Sequence, residues 1–335
     1  MISTEPLTHV QLRTLLRNML LQRAVDSRGF ALNRQGKVPI AMSSEGHEAA
    51  QAALGLVFVR GSDALYPYYR DTGALLACGY PLRDLFRSLF ARASDRSQGR
   101  QIVNHATASE LGIATISSTV AAQCSHAVGA AYAFQLRGQS ERAVFCTFGD
   151  GATSEGEWHE ALNFAAVRRV PVIFFCENNR WAISTPQAKQ MAVENVAERA
   201  AGYGIPGATV DGFDPRAVFA ALRDARARAV SGEGPTLVEA QCYRFLSHTS
   251  DDDDRTYRSR EEVARYRAND PVPRFERDLI AGGVIAQADL DALRAELREL
   301  VDRITDEVEA EPLPEAAQLY GNVYAGDGSP WNGSA

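Results

Sequence analysis

Asp150 stands between Gly149 and Gly151 at the end of an apolar run, Ala143-Val144-Phe145-Cys146-Thr147-Phe148. Asn178-Asn179 closes a second such run, Val170 to Cys176. A carboxylate and an amide are both oxygen donors, the ligands that suit a hard cation holding a phosphate. Gly-Asp-Gly alone reads as a turn, and Asn-Asn alone as punctuation at a strand end. Joined across a gap of strand–helix–strand size, the two read as one metal–phosphate site.

The elements that must position these groups follow from periodicity. Both apolar runs are short and β-rich, and the segment between them has helical spacing. The strands of such a crossover are parallel, so Asp150 and Asn179 emerge at the same sheet edge, where open α/β sheets bind ligands. Ser154 and Glu157 fit a capping box that predicts a helix starting near Glu155. Leu162, Ala165, Ala166 and Val170 give that helix an apolar stripe, and Pro171 ends it. Its N-terminus brings a partial positive charge to the same edge, which favours an anion.

The Gly149-Asp150-Gly151 to Asn178-Asn179 span resembles the thiamin diphosphate signature, which begins GDG and closes NN. Further segments occur in order: Tyr66-Pro67-Tyr68-Tyr69-Arg70-Asp71, Gly99-Arg100-Gln101, Thr115-Ile116-Ser117-Ser118, and Tyr243-Arg244 through His248 to Tyr257-Arg258-Ser259. Over roughly residues 15 to 310 the chain resembles the α subunit of the decarboxylating component of a 2-oxo acid dehydrogenase, most of all the branched-chain type. The resemblance implies Mg²⁺ held by Asp150, Asn179 and the carbonyl of Trp181, with diphosphate oxygens and a water completing the octahedron. It implies that Tyr69 and Arg70 bind the diphosphate, with backbone donors at Gly151 and Ala152. Ser118 and Val120 match positions that contact the aminopyrimidine. His248 matches a histidine that contacts the cofactor and assists acyl transfer to a lipoyl group.

The same resemblance implies a β subunit that supplies the catalytic glutamate, an α₂β₂ heterotetramer, and a lipoyl-bearing acyltransferase as partner. The substrate would be a small branched-chain 2-oxo acid, with pyruvate- and acetoin-type α subunits as the alternatives. A non-enzymatic nucleotide-binding module is disfavoured, because neither G-x-G-x-x-G after a strand nor G-x-x-x-x-G-K-[ST] occurs. The chain departs from relatives at Arg180-Trp181, where Gly-Tyr is common, at Tyr68, often Gln, and at Glu177, in some Arg. His105 is a candidate for substrate handling. His126 lies on a helix with small residues at every fourth position, Ser125, Gly129 and Ala133, suited to close packing. His47 and His159 read as structural.

The fold class expected is α/β, a mainly parallel sheet with helices on both faces and helical extensions at both ends. The expected division is 1–40, an N-terminal extension; 41–258, the diphosphate-binding domain; 259–320, a helical region; and 321–335, a Gly/Ser-rich tail. Helices are predicted over 8–35, 45–56, 82–93 and 215–231. The sheet region is expected from about 115, with later strands at 206–210 and 237–240. Ser259 and Glu262 offer a capping box, and Leu290, Leu293, Leu297, Leu300, Val301 and Ile304 an apolar stripe. The acidic loop around Asp251 to Asp254 is expected to order when cofactor is present.

In a chain of 335 residues, 45% hydrophobic and 23% charged content are globular values. A net charge of -7 argues against nucleic acid, and no apolar run suits a membrane span. The start shows no leader pattern, and the five cysteines include no CxxC pair, so a reducing cytoplasm is expected.

Overall fold

The computed structural model describes residues 6–321; the first five residues and the expected tail beyond Gly321 lie outside the described residues. In chain order the elements begin α1 (His9–Arg34), α2 (Glu48–Val57), β1 (Ala64–Tyr66), α3 (Thr72–Cys78), α4 (Leu82–Leu89), α5 (Ala122–Leu136), β2 (Val144–Gly149) and α6 (Gly156–Arg168). They continue β3 (Val172–Asn178), β4 (Trp181–Ala182), β5 (Thr185–Pro186), α7 (Gln187–Gln190), β6 (Gly207–Asp211), α8 (Pro215–Val230) and β7 (Thr236–Gln241). The last helices are α9 (Arg260–Arg267), α10 (Pro271–Ala281) and α11 (Gln287–Glu309).

Five strands form one parallel sheet in the order β1-β2-β3-β7-β6, as the βαβ pattern predicts, and β4 pairs with β5 in a small antiparallel hairpin. Successive side chains on a strand point to opposite faces. Phe145, Ile173, Phe175 and Val238 accordingly fall in one core cluster with apolar residues of α1, α2, α8 and α11. Val144, Cys146, Phe148, Phe174 and Cys176 pack under α5 and α6. Both faces are covered, which is why these strands read as continuous apolar runs.

The terminal helices belong to the same core. Thr8 and Gln11 form a reciprocal capping box at the start of α1, where the Thr8 hydroxyl accepts the Gln11 N–H at 3.3 Å. Leu290, Leu297 and Val301 of α11 are buried in the cluster that α1 shares, and Leu293, Leu300 and Ile304 pack at its margin.

Four local expectations are corrected. The Ser154–Glu157 capping box does not form: residues Asp150–Ser154 make a tight 3₁₀ turn, in which the Thr153 hydroxyl donates to the Asp150 carbonyl at 2.8 Å. Extended Glu155 then precedes α6 without a side-chain cap. The sheet begins earlier than 115, at the edge strand β1, whose three residues are too few to show periodicity. The helix predicted over 82–93 stops at Leu89, because Ala91 turns left-handed at φ 50°. The helix predicted from 45 begins at Glu48, since Gly46 (φ 94°) is pressed against the Tyr243 carbonyl, where a Cβ would lie 1.8 Å away.

Ser259 does cap α9, accepting the Glu262 N–H at 3.1 Å. The Glu262 carboxylate, however, turns away from the cap to accept the Trp181 indole N–H (3.0 Å) and the Tyr243 hydroxyl (2.9 Å).

Candidate active site

The register of β2 and β3 sets the site. Gly149 pairs with Glu177, so Asp150 and Asn178-Asn179 leave the sheet side by side at its carboxyl edge. Strand alternation then separates the two amides: Asn178 turns to Glu239 (2.6 Å), whereas Asn179 lines a cavity of about 450 Å³. Tyr69, Arg70, Ser118, Val120, Asp150, Gly151, Ala152, Trp181 and His248 line the same cavity, so every expected site residue is brought to one place. His105 lines it too. His126 does not. It borders a second cavity of about 810 Å³ beside α5, and a Cβ on its neighbour Gly129 would touch nothing, so the stripe is open at that residue.

Asp150 is 1% exposed. Its Oδ2 accepts from the Gln190 amide at 2.8 Å, while Oδ1 has no partner among the described residues. Burial pushes its carboxyl above the ordinary value, opposed by the hydrogen bond from Gln190 and by backbone donors. A buried carboxylate oxygen with no donor is costly unless a cation covers it. Asn179 Oδ1 accepts the Trp181 N–H at 3.2 Å and keeps a second lone pair. One carboxylate, one amide oxygen and the Trp181 carbonyl make a hard, all-oxygen donor set with room for further ligands, which fits Mg²⁺.

The backbone after Asn179 is strained: Arg180 (φ 72°) and the β-branched Ile183 (φ 52°) are both left-handed. Arg244 holds this hairpin, donating to the carbonyls of Trp181 (3.4 Å) and Ile183 (2.7 Å) and to the Tyr257 hydroxyl (3.0 Å). Arg70 lies beside it, with its own carbonyl accepting from Ser44 (2.6 Å) and Gln51 (2.9 Å). Arg70 donates to His248 at Nδ1 (3.2 Å) and at the carbonyl (3.3 Å).

Arg70 and Arg244 are each 1% exposed, and neither pairs with a carboxylate among the described residues. Burial and then the neighbouring Arg70 lower Arg244 to about 10. Two buried guanidiniums aimed at one cavity call for an anion, and phosphate oxygens match their fork geometry. The sequence reading missed Arg244 as a site residue. Its signal was present, in the motif that also carries His248.

An arginine only donates, so His248 Nδ1 is the acceptor and the ring proton sits on Nε2. Burial, then Arg70 and Arg244, lower His248 to about 3. The imidazole is therefore a neutral donor edge-on to Tyr69, with ring centroids 5.9 Å apart. The acidic loop finds its partners within the chain: Asp252 accepts the His248 N–H at 2.7 Å, and Asp254 pairs with Arg258.

At Gly151 an added Cβ would lie 2.7 Å from the Ala182 Cβ, so only glycine lets the turn approach the β4 strand. Gly151→Ala is expected to weaken diphosphate binding about 10-fold while leaving the melting temperature of the ligand-free chain within a few degrees. Calorimetric titration alongside thermal melting checks both.

Beneath the site, Asp26 of α1 accepts from the Ser44 N–H (2.7 Å) and the Ser43 hydroxyl (3.2 Å), and so fixes the loop that holds Arg70. Burial pushes Asp26 up to about 8. Below the ordinary carboxyl value both states are protonated, and between that value and about 8 only the folded chain keeps the proton. Its contribution to stability is therefore lost as pH rises through that window. Asp26→Asn keeps an acceptor and is expected to flatten the slope by up to about 1.4 kcal/mol per pH unit. Urea unfolding on either side of the window measures the difference.

The model of the family described as dehydrogenase E1 component matches residues 16–317. The chain is 45% identical over 322 residues to the 2-oxoisovalerate dehydrogenase subunit alpha of Bacillus subtilis, covering 95% of this chain and 97% of that one. It is 38% identical to the 3-methyl-2-oxobutanoate dehydrogenase subunit alpha of Mycobacterium tuberculosis, covering 94% and 83%. To the mitochondrial 2-oxoisovalerate dehydrogenase subunit alpha of Homo sapiens it is 37% identical, covering 92% and 69%.

Proposed function

The chain belongs to the dehydrogenase E1 component family, and from that premise we propose that its cavity is the α-subunit half of a thiamin diphosphate site acting on branched-chain 2-oxo acids. The protein is the α subunit of a branched-chain 2-oxo acid dehydrogenase, an oxidoreductase of the 3-methyl-2-oxobutanoate type. The observation that carries the site is the convergence of two buried guanidiniums that pair with no carboxylate among the described residues and a buried carboxylate oxygen that has no partner among them.

Bound thiamin diphosphate supplies an electron sink for loss of CO₂ from the 2-oxo acid. Asp150, Asn179 and the Trp181 carbonyl would hold Mg²⁺, and Arg70, Tyr69 and the backbone of Gly151 and Ala152 the diphosphate. Arg244 keeps the Trp181 carbonyl in place and adds positive charge. His248 presents a neutral Nε2–H in the cavity wall, suited to donating a hydrogen bond as the acyl group passes to a lipoyl group.

The carboxylates lining the cavity are Asp150, committed to the metal, and Glu155 at the start of α6. Membership of the family implies that the glutamate acting on the aminopyrimidine comes from a β subunit, in an α₂β₂ heterotetramer that also meets a lipoyl-bearing acyltransferase. No helix among the described residues is long and apolar enough to cross a membrane. A cytoplasmic location is proposed from the five buried free thiols.

Co-expression with the β chain followed by ferricyanide-coupled decarboxylation tests this reading. The complex is expected to prefer 3-methyl-2-oxobutanoate to pyruvate, and the α chain alone to be inactive. Preference for pyruvate would overturn the substrate, and full activity of the α chain alone would overturn the shared site.

A further inference from the structure

His105 Nδ1 lies 2.9 Å from the Val103 carbonyl, and its Nε2 lies 2.7 Å from the Ser118 hydroxyl. A carbonyl only accepts, so Nδ1 carries the proton, and in the neutral ring Nε2 is left as an acceptor. The single Ser118 hydroxyl proton is therefore spent on His105. Towards the cavity Ser118 has only lone pairs to offer. The ring is 5% exposed, and both residues form the partition between the 450 Å³ and 810 Å³ cavities.

This polarity selects among ligands. A 2-oxo acid anion carries only acceptor oxygens and gains nothing from an acceptor-only hydroxyl. An aminopyrimidine carries an amino group with two N–H donors. We propose that His105 is a positioning residue that fixes Ser118 as an acceptor for a donor group of the bound cofactor, not a residue that handles substrate. The inference rests on the thiamin diphosphate reading above and replaces the substrate role expected from sequence.

The test uses the complex reconstituted with the β subunit, with Mg²⁺ present. Calorimetry gives the affinity for thiamin diphosphate, and steady-state assays at saturating cofactor give the KM for 3-methyl-2-oxobutanoate. Ser118→Ala and His105→Leu are each expected to weaken cofactor binding about 10-fold, the worth of one hydrogen bond. The double variant should lose no more than either single one, because both remove the same contact. His105→Gln, whose carboxamide oxygen reaches the place of Nε2, should recover most of the loss. The KM for the 2-oxo acid should not change.

An unchanged cofactor affinity in Ser118→Ala overturns the inference, whatever the His105 variants do. Additive losses in the double variant, or a raised KM with cofactor affinity intact, overturn it as well. A wild-type complex that binds no thiamin diphosphate instead overturns the functional reading on which the inference stands.

Discussion

Asp150→Ala is expected to weaken Mg²⁺–thiamin diphosphate binding by more than about 100-fold and to abolish decarboxylation by the reconstituted complex. Asp150 is the one charged ligand in the proposed metal set, and its Oδ1 has no donor to compensate it among the described residues. Without the carboxylate, the cation retains only neutral oxygens from the protein. The folding consequence runs the other way. Burial already holds the Asp150 carboxyl above its ordinary value, so the folded chain pays to keep it charged. The ligand-free variant should therefore melt at or above the wild-type temperature, while the stabilisation that cofactor gives the wild type disappears. Melting curves with and without Mg²⁺ and thiamin diphosphate check this; a large loss of stability in the ligand-free variant would mark Asp150 as structural.

Arg70→Ala is expected to cost about 30-fold or more in thiamin diphosphate affinity, the lower end of removing one partner from a buried charge pair. The loss should fall on the phosphates. Wild-type complex should prefer thiamin diphosphate to thiamin strongly, and the variant should lose most of that preference. Arg70→Lys should not restore it, because an ammonium cannot reach the Ser43 carbonyl, His248 and a phosphate in one plane. Arg70→Ala also removes two of the hydrogen bonds that tie down His248, so limited proteolysis between 246 and 258 should rise. Equal preference ratios in variant and wild type would remove Arg70 from the diphosphate site.

What the sequence showed and what it hid divide along physical lines. The Asp150–Asn179 span was legible because a βαβ crossover converts sequence order into position: parallel strands must deliver both loops to one edge. Asn179 rather than Asn178 faces the cavity for an equally simple reason, the two-residue alternation of a strand. β1 escaped notice because three residues carry no periodicity. The false capping box at Ser154 arose because the motif is local, whereas the 3₁₀ turn there is set by the Thr153 bond and the approach of Ala182.

Tertiary pairs were the least legible. Tyr68 and Glu177 meet in the structure: the Tyr68 hydroxyl donates to Glu177 at 3.2 Å. His47 (2.6 Å) and Gln51 (2.8 Å) join the same carboxylate oxygen. Burial lifts Glu177 to about 7, and burial followed by the nearby Glu177 carboxyl lifts Asp71 well above the ordinary range. Residues separated by more than a hundred positions give a single sequence no sign that they share a proton network. Arg244 stood in the motif that carries His248, but its partners at 181, 183 and 257 are set only by the fold.

The central claim is that Asp150, Asn179 and the Trp181 carbonyl hold the cation that anchors thiamin diphosphate. Anomalous diffraction from crystals of the α/β complex grown with Mn²⁺ and thiamin diphosphate tests it most directly. The account predicts one strong peak at about 2.2 Å from an Asp150 carboxylate oxygen, Asn179 Oδ1 and the Trp181 carbonyl, with diphosphate oxygens in the remaining positions. A bound cofactor whose metal lies away from Asp150 and Asn179 would contradict it.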